Sequence, residues 1–164
     1  MLMNVKNEIL EIMRQNARIT EETLATMLGI SKEEVSQALK ELEEKQIILG
    51  YQAVLNTELL EDAPAEALIQ LKVCPQRDFG YDDIARRVYK FPEVKALYLM
   101  SGGCDLAVRV EAQTMKDISQ FVWEKLSVLE GISSTETLFI MRKYKEHGEI
   151  LVQDEKEERL VISP

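Results

Sequence analysis

The first 46 residues place apolar side chains at the spacing expected of three short helices. Val5, Ile9 and Met13 recur at every fourth position and form one apolar face of the first helix. Gly29 marks the end of the second helix, and the Ser-Lys-Glu-Glu run at 31–34 forms a capping box that begins the third. Only two residues separate the second and third helices, which predicts a helix-turn-helix.

The pattern changes to a period of two after residue 65, where apolar and polar residues alternate over 66–73 as in a half-buried strand. Downstream, the pattern predicts in order a helix at 79–90, strands at 94–100 and 105–112, a helix at 118–129 and a strand at 132–144. This β-α-β-β-α-β order is that of the ferredoxin-like sandwich. The predicted fold class is therefore α+β, with an N-terminal winged helix-turn-helix and a C-terminal ferredoxin-like domain.

The change of period divides the chain into four predicted segments. A winged helix-turn-helix domain covers 1–55, and its β-favouring residues 47–55 can form the wing. Residues 56–65 lose clear periodicity and are predicted to be a linker. The ferredoxin-like domain follows at 66–145, and an acidic extension at 146–164 is predicted to form a hairpin or a strand donated to a neighbouring subunit.

One face of such a four-stranded sheet is left uncovered by its own helices. Ile69, Tyr98, Val110 and Phe139 are strongly apolar, and those that point outward need a cover. We therefore expect the chain to form dimers by sheet-on-sheet packing.

The composition of the chain favours a globular protein over a membrane-spanning or exported one. The 164 residues are 46% hydrophobic and 30% charged, which is typical of one or two globular domains. No stretch approaches the ~18 apolar residues of a membrane helix, and the first residues lack the pattern of a signal peptide. Cys74 and Cys104 lie far apart and are interpreted as reduced thiols. We expect a cytoplasmic protein.

The net charge of −9 argues against nucleic acid as the default partner, because an acidic protein is repelled by phosphate. Residues 1–60 hold six basic and ten acidic side chains, so the predicted helix-turn-helix is itself acidic. Any DNA binding must therefore work against the average potential of the domain.

Enzyme signatures are missing from the sequence. The Met-Ser-Gly run at 100–102 is not a nucleophile elbow, and His147 with two separated cysteines does not make a zinc site. A phosphate loop and a dinucleotide fingerprint are also absent. We expect no catalytic residue, no metal and no cofactor.

The second predicted domain contains two spaced motifs. The first comprises Pro92, Glu93, Val94, Tyr98, Ser101, Gly102 and Asp105, and the second comprises Gly131-Ile132 with Thr135 and Thr137 at the start of the last strand. In order and spacing, both motifs resemble those of the Lrp/AsnC (feast/famine) transcriptional regulators. The resemblance extends over nearly the whole chain, from about residue 4 to about residue 145.

The resemblance implies a DNA-binding regulator of amino-acid metabolism whose dimers assemble into tetramers or octamers and bind a small amino-acid effector at subunit interfaces. The implied effector-binding residues are Ser101, Gly102, Gly103, Cys104, Asp105, Thr135 and Thr137. Glycine amides can receive a carboxylate, and Asp105 can accept from an α-ammonium group. The alternative is a plain hairpin turn capped by Asp105, with the threonines acting only as strand formers. Cys104 stands where the family usually has an aromatic residue.

Four side chains on the outward face of the third helix are candidate DNA contacts: Lys32, Ser36, Gln37 and Lys40. Gln37 can bond an adenine edge in the major groove, and the lysines suit phosphates. Family members usually carry arginines or another basic residue where this chain has Gln37, Ala38 and Glu41. Binding to double-stranded DNA is therefore expected to depend on assembly, since an octamer multiplies weak contacts.

Two other interpretations are weighed against this one. The first is an amino-acid-sensing oligomer of the same fold that has lost strong DNA binding. The second is a sirohaem decarboxylase, an enzyme class with a related two-domain layout. Such an enzyme would be expected to hold an acidic tetrapyrrole with His and Arg groups in its sheet pocket, and the second domain is poor in histidine.

Overall fold

The computed structural model describes residues 2–74 and 80–152. The chain divides into two compact units, of which the first ends at Val54 and the second begins at Leu55. None of the helices in the described residues is long and apolar enough to cross a bilayer.

The first unit contains the three predicted helices, α1 (Leu2–Gln15), α2 (Glu21–Leu28) and α3 (Lys32–Glu44). Each helix contributes to one small core whose fully or almost fully buried members are Ile9, Leu24, Val35, Ala38 and Leu42. The apolar stripes found in the sequence are therefore the faces that the helices bury against one another.

The predicted wing strand at 47–55 is not formed. Ile47 and Ile48 both donate their backbone N–H to Leu42 O, at 2.9 and 3.1 Å, and the chain then continues without strand pairing. Leu49 is 87% exposed, although the Tyr51 hydroxyl donates to Glu43 Oε1 at 2.8 Å. The prediction of a strand was wrong because β-favouring residues need a partner strand, and the described part of this unit supplies none.

The second unit has the predicted β-α-β-β-α-β order. Its elements are β1 (Ala65–Val73), α4 (Tyr81–Val88), β2 (Val94–Leu99), β3 (Leu106–Ala112), α5 (Met115–Phe121), a π-helical turn (Val122–Leu126) and β4 (Ile132–Phe139). The strands form one antiparallel sheet in the order β2-β3-β1-β4. This arrangement confirms the predicted fold class.

The core of the second unit lies between the sheet and its helices. Ala67, Ile69, Leu71 and Val73 of β1 all face the helices and are almost fully buried. Gly131 opens β4 with φ +92, and an added Cβ there would lie 2.6 Å from Ile84 Cδ1. This glycine allows the last strand to pass close to α4.

The four apolar residues proposed to need a cover do not share one face of the sheet. Ile69 and Val110 are fully buried on the helix side, and Phe139 packs partly buried beside them. Tyr98 pairs with Ala107 on the opposite face and is 55% exposed. Of the four, only Tyr98 therefore contributes to the open face, since a strand directs alternate side chains to opposite faces.

The residues that follow β4 fold back over part of the open face. The ammonium group of Lys143 binds the carboxylate of Glu66, whose side chain is 9% exposed. Arg109 Nη1 donates to Glu146 Oε1 at 3.0 Å, which ties the same segment to β3. Two ion pairs therefore hold this segment against the sheet.

The segment predicted as a linker, 56–65, belongs to the second unit. It contains a 3₁₀ turn at Thr57–Leu59, capped by the side chain of Asn56, and its last residue begins β1. Asn56 Nδ2 also donates to Leu151 O at 2.8 Å, and Glu58 Oε1 accepts from the backbone of Lys143 at 3.2 Å. Polar side chains thus order a segment that has no apolar periodicity.

The described part of the predicted C-terminal extension forms a short hairpin. The predicted strand at 132–144 ends at Phe139, and strands β5 (Lys145–Glu146) and β6 (Glu149–Ile150) follow. Their turn, His147-Gly148, has φ of +48 and +93, as a type I′ turn requires. The rest of the extension predicted at 146–164 lies outside the described residues.

We expect Lys143→Ala to destabilise the second unit by about 3 kcal/mol, because it leaves the nearly buried Glu66 carboxylate without its cation. Urea unfolding of the full chain measures the loss. Lys145→Ala, which removes an exposed charge from the same hairpin, should change stability by less than about 0.5 kcal/mol. The double variant Glu66→Met/Lys143→Met should recover most of the stability, and an unchanged Lys143→Ala variant would contradict the role of this pair.

Candidate nucleic-acid interface and effector site

The turn between α2 and α3 is set by capping interactions. Thr20 Oγ1 accepts from Thr23 N at the start of α2, and Gly29 ends the helix with φ +67. Ser31 then accepts from Glu34 N at 3.2 Å while Glu34 Oε2 accepts from Ser31 N at 2.9 Å. The hydrogen bonds that the Ser31 backbone and hydroxyl donate to the Glu34 carboxylate lower the pKa of Glu34. Three residues separate the end of α2 from the start of α3.

The structure brings the four candidate DNA contacts to one surface of α3. Val35, Ala38 and Leu42 occupy the buried face, and every candidate is exposed. Lys32, Ser36 and Lys40 follow one another at intervals of four residues, with Gln37 beside them. The first turn of the helix is also exposed, as an element that enters a major groove requires.

Each charged or amide-bearing candidate is bound to a glutamate of the same unit. Lys32 pairs with Glu22 of α2, which raises the pKa of Lys32 and lowers that of Glu22. Lys40 Nζ lies 3.9 Å from Glu44 Oε1, and Gln37 Nε2 donates to Glu41 Oε1 at 3.2 Å. Exposed pairs of this kind are weak, so a phosphate can replace the glutamate.

The candidate effector turn joins β2 to β3 at one end of the sheet. Met100 N donates to Asp105 O at 2.9 Å, and Ser101, Gly102 and Gly103 between them are exposed. Gly102 has φ +145, a conformation that residues with a side chain rarely adopt. The turn therefore presents backbone amides to solvent.

Asp105 has a structural role that the sequence did not reveal. Its backbone N–H donates to Leu71 O at 2.9 Å, and its Oδ2 accepts from Val73 N at 2.8 Å. The carboxylate thereby satisfies the last backbone donor of β1. A carboxylate has about four acceptor positions, so this bond leaves capacity for a ligand ammonium group.

The remaining candidates are spread along the sheet within one subunit. Thr135 and Thr137 are half-buried on the helix side of β4, opposite Leu71 and Ile69 of β1. Because β1 separates β4 from β3, these hydroxyls lie about 10 Å from the strand that the turn opens. Thr135 and Leu106, the first residue of β3, both pair with Leu71, whereas Thr137 lies two residues further along β4. Cys104 is half-buried within the turn.

A cleft beside the turn was not predicted. It has a volume of about 400 Å³ and lies between α4 and the edge strand β2. Its walls are formed by Tyr81, Asp82, Ala85, Tyr89, Val94, Lys95, Ala96, Leu97, Leu99 and Leu106. The last two flank the turn, so the cleft opens next to it. Of these residues only Val94 belongs to a motif, since packing alone brings a helix face against alternate strand residues.

A second motif residue also proves structural. Glu93 Oε1 accepts from Lys125 Nζ at 2.6 Å, and the same ammonium group lies 5.9 and 5.8 Å from the rings of Phe91 and Phe121. Burial opposes the charge on Glu93, but the Lys125 ion pair outweighs it and keeps the pKa of Glu93 below its usual value. This cluster fastens the start of β2 to the helix that precedes β4.

Comparison with known proteins matches each of the two units to a protein-family model. Residues 66–150 match the model of the Lrp/AsnC ligand binding domain, and residues 5–48 match that of a winged helix-turn-helix DNA-binding domain. The chain belongs to the Lrp/AsnC family. Its relatives are transcriptional regulators rather than enzymes.

Among these Lrp/AsnC relatives, the HTH-type transcriptional regulator YugG of Bacillus subtilis is 39% identical over 160 residues, which cover 97% of this chain and 96% of the relative. The leucine-responsive regulatory protein of Rhizobium meliloti is 30% identical and covers 85% and 88%, respectively. A Neisseria meningitidis transcriptional regulator solved in complex with L-Met has a TM-score of 0.69 and 25% identity, covering 87% of this chain and 91% of that one.

We expect Asp105→Ala to destabilise the second unit by about 1–3 kcal/mol, because Val73 N–H loses its acceptor at the end of β1. Asp105→Asn retains an acceptor oxygen and should keep most of the stability. Thermal unfolding of the two variants measures the difference, with Ser101→Ala as a control in the same turn. Equal stability of the alanine and asparagine variants would show that this bond does not stabilise the strand.

Proposed function

We propose that the protein is a sequence-specific DNA-binding regulator of amino-acid metabolism that responds to a small amino-acid effector. The observation that carries the proposal is the exposed face of α3, where four polar side chains follow a capped turn in a domain that matches a DNA-binding family. Helix α3 is the recognition helix, with Gln37 and Ser36 directed to base edges and Lys32 and Lys40 to phosphates. Such a protein acts where DNA is found, which we propose is the cytoplasm.

The charge of the first domain limits the affinity of each protomer. Two or three phosphate contacts per protomer correspond to only about four to six per dimer, each with a salt slope near −0.9. The glutamates bound to Lys32 and Lys40 reduce the local positive potential further. We therefore propose that strong binding requires several DNA-binding domains joined in one assembly.

The assembly is proposed to begin with a dimer of the second domain. Outside the part covered by the terminal segment, the open face retains exposed apolar groups, among them Tyr98 at 55% and Leu138 at 42%. Exposed side chains of the terminal segment add to this apolar surface: Met141, Tyr144 and Ile150. A second copy of the chain is the occupant that buries this surface, and such dimers associate further into tetramers or octamers.

The effector is proposed to bind at a subunit interface near the turn at 101–105. The exposed glycine amides and Ser101 can hold a carboxylate, and Asp105 keeps free acceptor positions for an ammonium group. The hydroxyl of Thr135 lies too far from the turn to share a ligand with it inside one subunit unless the ligand spans about 10 Å. This spacing favours a site that a neighbouring subunit completes.

A salt titration tests the DNA contacts. The full chain is first used to select an operator from random DNA duplexes. The binding constant of the wild type, Lys32→Ala and Lys40→Ala for this operator is then measured at increasing KCl. Each substitution should lower the slope of log K against log salt by about two per dimer, because each protomer loses one phosphate contact. Lys116→Ala, an exposed lysine in the second domain, should leave the slope unchanged. A wild type that selects no sequence would instead support the interpretation as an oligomer without strong DNA binding.

Light scattering and calorimetry with each of the twenty amino acids test the effector site. One amino acid should bind and shift the distribution of assemblies, and Ser101→Ala and Thr135→Val should each weaken its binding roughly tenfold, as expected for one lost hydrogen bond. Ser134→Ala, on the opposite face of β4, is the matched control. A stable dimer that is indifferent to every amino acid would refute effector binding at this turn.

A further inference from the structure

Glu41 lies at the centre of a small polar network on the recognition helix. Its Oε1 accepts from Gln37 Nε2 at 3.2 Å, one helical turn away. Its Oε2 accepts from Lys6 Nζ of α1 at 2.5 Å and lies 4.0 Å from Lys45 Nζ. The Glu41 side chain is 35% exposed and the Lys6 side chain 23%, so the pair is held closer to the protein than the other ion pairs of α3.

The chemistry of this contact determines which way the Gln37 amide faces. An ionised carboxylate can only accept hydrogen bonds, so the amide must turn its NH₂ group towards Glu41. The hydrogen bond from Lys6, and to a smaller extent the one from Gln37, keeps the pKa of Glu41 below its usual value. The carboxylate therefore remains ionised at neutral pH. An unrestrained glutamine would exchange its oxygen and nitrogen by rotation of the amide.

The orientation imposed by Glu41 suits one base. One N–H of Gln37 is engaged by Glu41, which leaves the second N–H and the carbonyl oxygen for a ligand. Adenine offers an acceptor at N7 and a donor at N6 in the major groove, and an amide in fixed orientation matches both. The rotated amide would place oxygen against N7 and lose the pairing.

Glu41 is an unfavourable residue in electrostatic terms, because a carboxylate on a recognition helix repels phosphate. The Lys6 ammonium group at 2.5 Å offsets this charge from the neighbouring helix. The carboxylate therefore lies where it opposes general DNA binding while it contacts the one amide on the exposed face of α3.

We propose that Glu41, held by Lys6, is a positioning residue that orients the amide of Gln37 so that α3 selects adenine at one position of the DNA half-site. The inference rests on the proposed DNA-binding function.

The test measures base preference rather than affinity alone. The operator selected by the wild-type full chain is altered at each position, and the position at which Gln37→Ala loses its preference for adenine is identified. At that position the wild type should bind adenine about tenfold or more tightly than the other bases, as one bidentate amide contact predicts. Glu41→Ala, Glu41→Gln and Lys6→Met should each reduce the ratio to below about threefold.

The expected pattern separates orientation from charge. Glu41→Ala should bind the mismatched operators more tightly than the wild type does, and Gln37→Ala/Glu41→Ala should show no further loss of preference beyond either single variant. Glu44→Gln removes the same charge from the same helix without touching Gln37, and it should raise affinity for all sequences while keeping the adenine ratio. Circular dichroism of each variant confirms that the helices are intact.

Two results would overturn the inference while leaving the regulator function in place. One is an unchanged adenine ratio in the Glu41 and Lys6 variants of a protein whose Gln37→Ala variant loses it. The other is an operator whose base preferences do not depend on Gln37 at all. A wild type that selects no sequence would overturn the proposed DNA recognition and this inference together.

Discussion

The alternation of side chains along β1 is the constraint on which the second domain depends. The strand lies between β3 and β4, and Ala67, Ile69, Leu71 and Val73 face the helices while the residues between them face the open side. Glu66 is one of these intervening residues, and its carboxylate is almost buried. The strand can adopt this register because Lys143 returns over the sheet to neutralise the carboxylate, and the terminal segment is thereby ordered as well.

Charge organises the first domain in a comparable way. The unit is acidic, yet the lysines on its recognition helix and the lysine of α1 are all matched by glutamates at short distance. Under the proposed function, paired charges of this kind give an interface that attracts DNA weakly in isolation. In that proposal affinity comes from the number of domains in an assembly, and selectivity comes from how side chains such as Gln37 are held.

The motif residues of the Lrp/AsnC family have structural roles in this chain that are separate from any ligand. Asp105 accepts a hydrogen bond from the backbone N–H of Val73 at the end of β1. Glu93, just before β2, binds Lys125 of the π-helical turn. A motif that stabilises the fold and also borders a proposed ligand site must satisfy the requirements of both stability and ligand binding. Substitution of such a residue therefore alters stability as well as any response to an effector.

Local patterns in the sequence were sufficient to predict most of the helices and strands and their order along the chain. The apolar stripes at three- and four-residue spacing, the Ser31–Glu34 capping box and the alternation over 66–73 predicted helices and strands that the structure contains, because capping and periodic burial are local properties. The same patterns placed the four candidate DNA contacts on one exposed face of α3. They failed at residues 47–55, where strand formation depends on whether a distant partner is present.

Contacts between residues that are distant in sequence could be identified only from the folded structure. The Lys143–Glu66 pair joins positions far apart in sequence, as does the bond from Val73 to Asp105, and the cleft between α4 and β2 is formed by residues without a common motif. The direction in which Ile69, Val110 and Tyr98 point was equally undetermined, since alternation alone does not say which face the helices cover. Periodicity encodes which residues are buried together, whereas the identity of the neighbour across a strand or helix is set by packing of the whole domain.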